Sequence, residues 1–355
     1  MHPGADEYLY RGAPPPELRR EAEPPSLPPA VVEAAERRAV RTRRRRWGRC
    51  AGLLLLPFSV ALVFRAADAD GPSPVPQLLA FLPWFLVPAW LALACAALGR
   101  RIVPAVWALA VLAATGWFLR PYGPDAAPAP AGAPAARLRV LTANLDRGTA
   151  VDTFLALLRD ERPQLVAVQE CDTGCARALR SPEVRESYPG RVIVASGASQ
   201  GSALLSTYPL RSVPAVPGTH AMPGAVVDVA GARLRFQVVH SAPPLPDGVG
   251  VWRQELGRLA EYAGRHDDGA LLMAGDFNAS QDHAAFRGLL ATGLRDTARL
   301  DGRSRTPTWP ARTAPPLGAQ LDHVLVSEDF DVHEVMFFTL PDADHRAVLA
   351  EVALR

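Results

Sequence analysis

The sequence contains no lysine, so all 38 of its basic residues are arginine. They face 36 acidic residues, for a net charge of +2. That balance excludes the strongly basic character of a nucleic-acid coat protein. Cysteine is scarce, and four in 355 residues cannot staple a disulfide scaffold. Aromatic residues make up only 7%, yet hydrophobic residues reach 49% and charged residues only 21%, which excludes a chain disordered throughout. No fixed-period repeat is present. The 35 prolines lack a collagen-like period and so mark turns and linkers. The length allows two or three domains.

What is present is unevenly distributed. Residues 1–46 are rich in Pro, Glu and Arg and poor in large apolar residues, so a disordered tail is expected. The tail ends in Arg37-Arg38, Arg41 and Arg43-Arg44-Arg45-Arg46. Such a run could serve as a nucleic-acid-binding arm; beside a membrane span it is a topology signal, the reading favoured because apolar runs start immediately afterwards. These are Cys50–Phe64, Val75–Leu98 and Ile102–Leu119. About 20 apolar residues cross the hydrocarbon core, which predicts three transmembrane helices at about 47–66, 75–98 and 102–119. The first is short and needs Arg49 and Arg65 to snorkel. The stretch before it is basic, the loop Ala66–Pro74 carries Asp68 and Asp70 and no arginine, and Gly99-Arg100-Arg101 is basic again. Arginine asymmetry therefore predicts a multi-pass cell-membrane protein with a cytoplasmic N-terminus and everything after Leu119 outside.

Residues 121–136 (PYGPDAAPAPAGAPAA) form a Pro/Ala linker. Residues 137–355 are the size of one compact domain. This domain holds 23 Arg against 26 acidic residues, so no basic surface follows from its composition. Its pattern mixes strands and helices. Strands are expected at Leu138–Leu145, Gln164–Gln169, Arg191–Ala195, Ser202–Ser206, Ala225–Val229, Leu234–His240, Leu271–Ala274, Leu321–Ser327, Val332–Phe338 and Ala347–Ala353, with helices at Val151–Arg159 and Val251–Tyr262. The fold class is α/β (α+β), with sheets packed between helical layers.

Polar residues punctuate the strand ends. Asn144-Leu145-Asp146 follows Arg139–Ala143, Glu170 follows Leu165–Gln169, His240 follows Phe236–Val239, and Gly275-Asp276-Phe277-Asn278 follows Leu271–Ala274. Asp322-His323 and Asp344-His345 stand at strand starts. One carboxylate at a strand end is ordinarily a turn or cap residue. Six such places fit convergence on a single rim.

In this order, Asn144-Leu145-Asp146, Gln169-Glu170, His240-Ser241-Ala242-Pro243, Gly275-Asp276-Phe277-Asn278, Leu321-Asp322-His323 and Asp344-His345-Arg346 resemble the signature of the endonuclease/exonuclease/phosphatase superfamily. The His-Ser-Ala-Pro stretch is closest to its pancreatic-deoxyribonuclease branch. The resemblance covers roughly residues 137–355. It implies two packed β-sheets flanked by helices, and divalent-metal-dependent cleavage of a phosphoester by water. Under it, Glu170 anchors Mg²⁺ or Mn²⁺, as hard cations prefer carboxylate oxygen. Asp344 is a second ligand or binds through water, and Asp146 is a less secure third. Asn144 and Asn278 offer amide donors to phosphate. Asp276 orients the attacking water, His345 is the general base held by Asp322, and His240 is the general acid or a stabiliser of phosphate charge.

Other residues have plainer readings. His323 is expected at a position where the family accepts several residues, with substrate contact the lesser alternative; His220, His266, His283 and His333 are expected to be solvated, and Trp309 to pack or to stack on substrate. Cys171 and Cys175 could form a small disulfide beside Glu170 if the domain lies outside the cytoplasm. The expected function is a membrane-anchored, metal-dependent phosphoesterase, with nucleic acid or phospholipid as substrate, the bilayer as partner through three helices, and no protein partner inferable. The competing class is a non-catalytic binding module that kept the fold; retention of the full polar set favours the enzyme.

Overall fold

The computed structural model describes residues 27–120, 122, 134–197, 199–266, 269–313 and 317–355. The expectations for residues 1–26 and for most of the 121–136 linker fall outside the described residues. The disorder expected for 29–46 is corrected: these residues form the first half of one continuous helix, α1 (Pro29–Ala66), of 38 residues. The stretch VVEAAERRAVRTRRRR lacks glycine and internal proline and is dominated by good helix formers. The apolar half that follows propagates the helix. At roughly 57 Å, α1 exceeds a bilayer's thickness. Among the described residues it is the helix long and apolar enough to cross a membrane.

The second apolar run is interrupted. It forms α2 (Val75–Ala80), a 3₁₀ turn (Leu82–Phe85) and α3 (Leu86–Leu98). Pro83 lacks the N–H a continuous helix would use, and its ring excludes the preceding α turn. The third run is α4 (Ile102–Phe118). These segments share an apolar core that includes Leu55, Leu62, Leu79, Phe85 and Val111. At one end of the bundle Gly99 packs on Trp47, where an added Cβ would lie 2.9 Å from the Trp47 Cβ. The arginines on either side of that contact, Arg43–Arg46, Arg49, Arg100 and Arg101, therefore gather at this end, and Asp68 and Asp70 lie at the other.

The C-terminal part runs β1 (Ala136–Asn144), α5 (Val151–Glu161), β2 (Leu165–Gln169), α6 (Thr173–Ala178), α7 (Pro182–Ser187), β3 (Gly190–Val194), β4 (Ser202–Ser206), β5 (Leu210–Val213), β6 (Gly224–Val229), β7 (Ala232–His240), α8 (Val249–Gly264), β8 (Ala270–Asp276), α9 (Ala284–Leu290), β9 (Arg295–Asp296), α10 (Thr297–Leu300), β10 (Asp322–Val326), β11 (Phe330–Thr339) and β12 (Arg346–Leu354). The strands form two six-stranded sheets, ordered β11-β12-β1-β2-β4-β3 and β5-β6-β7-β8-β10-β9. Each sheet contains one parallel pair, β1 with β2 and β7 with β8, joined by α5 and α8 as crossovers of the kind parallel strands require.

The sheets face each other across one core. Strand side chains alternate between faces, so Leu138, Val140, Leu165 and Ala167 of one sheet meet Phe236, Val238, Leu272 and Ala274 of the other. The outer face of the first sheet is covered by α5, α6 and α7 through Phe154, Leu158 and Leu179. That of the second is covered by α8 and α9 through Trp252, Leu256 and Phe286.

Candidate active site

The inward apolar stripes turn polar at one rim. Continuing with period two from Leu138 and Val140 gives Thr142 and Asn144; from Leu165 and Ala167, Gln169; from Phe236 and Val238, His240; from Leu272 and Ala274, Asp276; from Val326 and Val324, Asp322. Register then sets the neighbours. His240 pairs with Asp276 across β7 and β8, and Asp276 with Asp322 across β8 and β10. On the other sheet Asn144 pairs with Gln169. Gly275 permits this approach, because a Cβ there would lie 1.8 Å from the Val239 carbonyl oxygen.

Side chains close the gap between the sheets. The Asn144 amide donates to Asp276 Oδ2 at 3.2 Å and to Glu170 Oε1 at 3.5 Å. Asn278 donates its backbone N–H to Asp276 Oδ1 at 2.8 Å, and its amide to Ser241 O at 2.9 Å and Asp276 Oδ2 at 3.3 Å. Both amides expected to meet phosphate are thus engaged in holding Asp276. Glu170 accepts the Arg147 N–H at 2.9 Å. Asp146, Arg147, Glu170 and Asn278 all have left-handed backbone (φ +43 to +56°). Such non-glycine strain gathers where the surrounding structure fixes a functional geometry.

His345 Nδ1 lies 2.8 Å from Asp322 Oδ2, and its Nε2 lies 3.8 Å from Asp276 Oδ2. Among the described residues, Asp276, Asp322 and His345 are the group of potential metal ligands whose donor atoms all lie within 4.8 Å of one another. Asp322 and His345 are hydrogen-bonded, and Asp276 faces the other imidazole nitrogen at ion-pair distance. Glu170, Asp344 and Asp146 do not close into such a group: Asp344 accepts the Trp309 indole N–H at 3.3 Å, and the Asp146 carboxylate meets Arg147 at 3.2 Å.

Burial works against a charged His345, but Asp322 and Asp276 outweigh it and raise its pKa to about 10. Asp276 is pushed up to about 7 by burial, with the Asp322 charge adding to the rise and His345 opposing it. Burial also raises Glu170, against the Arg147 N–H and the Asn144 amide. His240 goes the other way, far below its ordinary value, through burial and then the neighbouring His220 and His345.

Three features were not legible in sequence. His220, expected to be solvated, stacks on His240 with centroids 4.0 Å apart and planes 12° from parallel. His283, also expected at the surface, is fully buried, with Nε2 2.8 Å from the Pro76 carbonyl. His323 is buried too and bridges Asp296 at 3.0 Å and the Ala279 carbonyl at 2.9 Å, a structural tie at the side of the site. Cys171 and Cys175 form a disulfide that starts directly after Glu170.

Residues 141–345 match the sequence profile of the Endonuclease/Exonuclease/phosphatase family. None of the curated protein sequences matches significantly. A humanized D. rerio TDP2 carrying 14 mutations is similar in structure, with a TM-score of 0.52, 14% identity, and coverage of 61% of this chain and 98% of that one. D. rerio TDP2 complexed with a single-strand DNA product gives 0.52 at 13% identity, covering 61% and 99%. An endonuclease/exonuclease/phosphatase from Beutenbergia cavernae gives 0.50 at 18% identity, covering 61% and 72%. At these identities the likeness is one of fold.

Proposed function

We propose that this chain, which belongs to the endonuclease/exonuclease/phosphatase family, is a membrane-anchored phosphoesterase that cleaves phosphodiester bonds with water and a divalent cation. The observation that carries the reading is the buried relay Asn144–Asp276–His345–Asp322, which joins both sheets at one rim. Fold alone does not fix activity; these side chains are what would carry the chemistry.

The residues fit a hard cation. Glu170, Asp276, Asp322 and Asp344 crowd around one imidazole, and burial raises two of the four. A divalent ion would offset that excess of negative charge, and oxygen donors suit Mg²⁺ or Mn²⁺. Glu170 would hold it, with Asp344 and then Asp146 as further candidates. When bound, the ion supplies charge neutralisation at the phosphoryl oxygens.

The chain's own groups divide the remaining work. Asp276, near 7 and held by three donors, takes the proton of the attacking water, since a base is most effective near the operating pH. His345, with Nδ1 on Asp322 and Nε2 facing Asp276, is read here as the donor that gives its Nε2 proton to the leaving oxygen, where the sequence reading made it the base. Neutral His240 offers an N–H at the scissile phosphate. Asn144 and Asn278 are positioning residues for Asp276.

In this reading α1, long and apolar enough to cross a membrane, is the anchor. Three crossings with the catalytic part outside belong to the same proposal, and the arginines at one end of the bundle against Asp68 and Asp70 at the other support them. The test is hydrolysis of bis-p-nitrophenyl phosphate by the full chain in detergent. Chelator should abolish it and Mg²⁺ or Mn²⁺ restore it; full turnover in excess chelator refutes the mechanism.

A further inference from the structure

We infer that the substrate is a phosphodiester lipid met at the bilayer surface, an inference that rests on the membrane-anchored phosphoesterase reading above. It comes from where the apolar segments touch the catalytic part. The Gln77 amide of α2 donates to the Pro244 carbonyl, four residues beyond His240. The Phe81 ring, at the break in the second apolar run, lies 6.2 Å from Trp309, whose indole N–H donates to Asp344 beside His345. Two loops, one after His240 and one that reaches Asp344, thus rest on one apolar segment.

The loop after Asp276 is bound just as closely. Asp70 accepts the N–H groups of Ala284 at 2.6 Å and Ala285 at 3.1 Å, capping α9. Asp68 pairs with Arg287, and His283 binds the Pro76 carbonyl. Buried Asp282 pairs with Arg305 and with Arg65 at the end of α1, and Arg305 also donates to the Phe118 carbonyl at the end of α4, at 2.8 Å. The ends of α1 and α4 and the start of α2 therefore all meet the loop that follows Asn278, directly or through Arg305. Trp117, 61% exposed with Arg120 over its ring at 4.2 Å, marks the same level as an interfacial anchor.

This arrangement holds the reactive rim at the height where lipid phosphates lie. Leu245, next to the Gln77 contact, is 62% exposed and would enter the headgroup layer. A water-borne polyanion gains nothing from this placement. In the step itself, water oxygen bonds to phosphorus and gives a proton to Asp276, the P–O bond to one alcohol breaks, and the leaving oxygen takes the Nε2 proton of His345, which the proton held by Asp276 then replaces.

The test reconstitutes the full chain in phosphatidylcholine–phosphatidylglycerol vesicles with Mg²⁺ or Mn²⁺. It compares headgroup release with hydrolysis of bis-p-nitrophenyl phosphate and of a short single-stranded DNA. Vesicle lipid should be cleaved in preference to the DNA. Leu245→Asp should lower lipid turnover about tenfold, the loss of one leucine's burial, while hydrolysis of the soluble diester stays within about twofold, as expected of an exposed site. Phe81→Ala should shift the same ratio in the same direction. Cleavage of the soluble diester and DNA without lipid, or lipid turnover indifferent to both variants, overturns this inference and leaves the phosphoesterase reading standing. No cleavage of any substrate overturns both.

Discussion

Replacing Asp322 by Asn keeps the shape of the His345 partner and removes its charge. The rise of His345 from 6.5 to about 10 corresponds to about 5 kcal/mol, won against burial by Asp322, Asp276 and Asp344 together. Asp322 is foremost among them and makes the direct 2.8 Å contact. A hydrogen bond to a charged group contributes about 1.5–3 kcal/mol, so Asp322→Asn should lower the His345 pKa by about 1–2 units. Imidazole ¹⁵N NMR titration of metal-free protein in detergent micelles measures this directly. Turnover should change little near pH 7, where His345 stays protonated, and should diverge from wild type as the medium becomes alkaline. Stability follows the same sign. A histidine raised in the folded state contributes its full stabilisation below the unfolded value of 6.5, and that contribution fades as pH rises towards about 10. The variant should lose it over a narrower range. A His345 signal that titrates at its ordinary value in both proteins, or one unmoved by Asp322→Asn, refutes the reasoning.

Glu170→Gln should raise the Mg²⁺ concentration needed for half-maximal turnover while circular dichroism stays that of the folded protein. His220→Ala removes the stacked neighbour that holds His240 down, so the acid limb of the pH–rate profile should move to higher pH; an unmoved limb would separate His220 from catalysis. Mass spectrometry without reductant should find the chain two hydrogens lighter than after reduction, from Cys171–Cys175, whereas two alkylatable thiols there would contradict the bond. Asp70→Ala should cost about 1 kcal/mol, the worth of a helix cap, read as a lower thermal midpoint. A cysteine added after Arg355 should be labelled in intact cells by an impermeant maleimide; labelling only after lysis would reverse the proposed orientation.

The sheets and much of the site were legible because they depend on short-range order. An apolar strand such as Leu271–Ala274 ending in Gly275-Asp276 announces both burial and a polar tip. Ser202–Ser206 forms the strand its composition predicts. β9, two residues long, and α6, α7, α9 and α10, at four to seven residues, carry too little periodicity to read. The second apolar run looked continuous by hydropathy, yet Pro83 breaks it. Asp68 and Asp70 read as a charge-bearing loop; their role as caps and partners for α9 depends on residues more than two hundred positions away. His220 and His283 were misjudged for the same reason, since stacking and burial arise from tertiary contact and leave no local pattern. The setting of His345 depends on Asp276 and Asp322 from two other strands, contacts that leave no local pattern in the sequence.

The central claim is that water, activated beside Asp276 and His345, attacks phosphorus. The most direct measurement is hydrolysis of bis-p-nitrophenyl phosphate by the full chain with Mg²⁺ in ¹⁸O-enriched water, with mass analysis of the products, for wild type and Asp276→Asn. The account predicts one ¹⁸O in the p-nitrophenyl phosphate and none in the p-nitrophenol, with Asp276→Asn slower by about 10²–10⁴, the range for acid–base catalysis. Label in the phenol, or an Asp276→Asn variant that matches wild type, would contradict it.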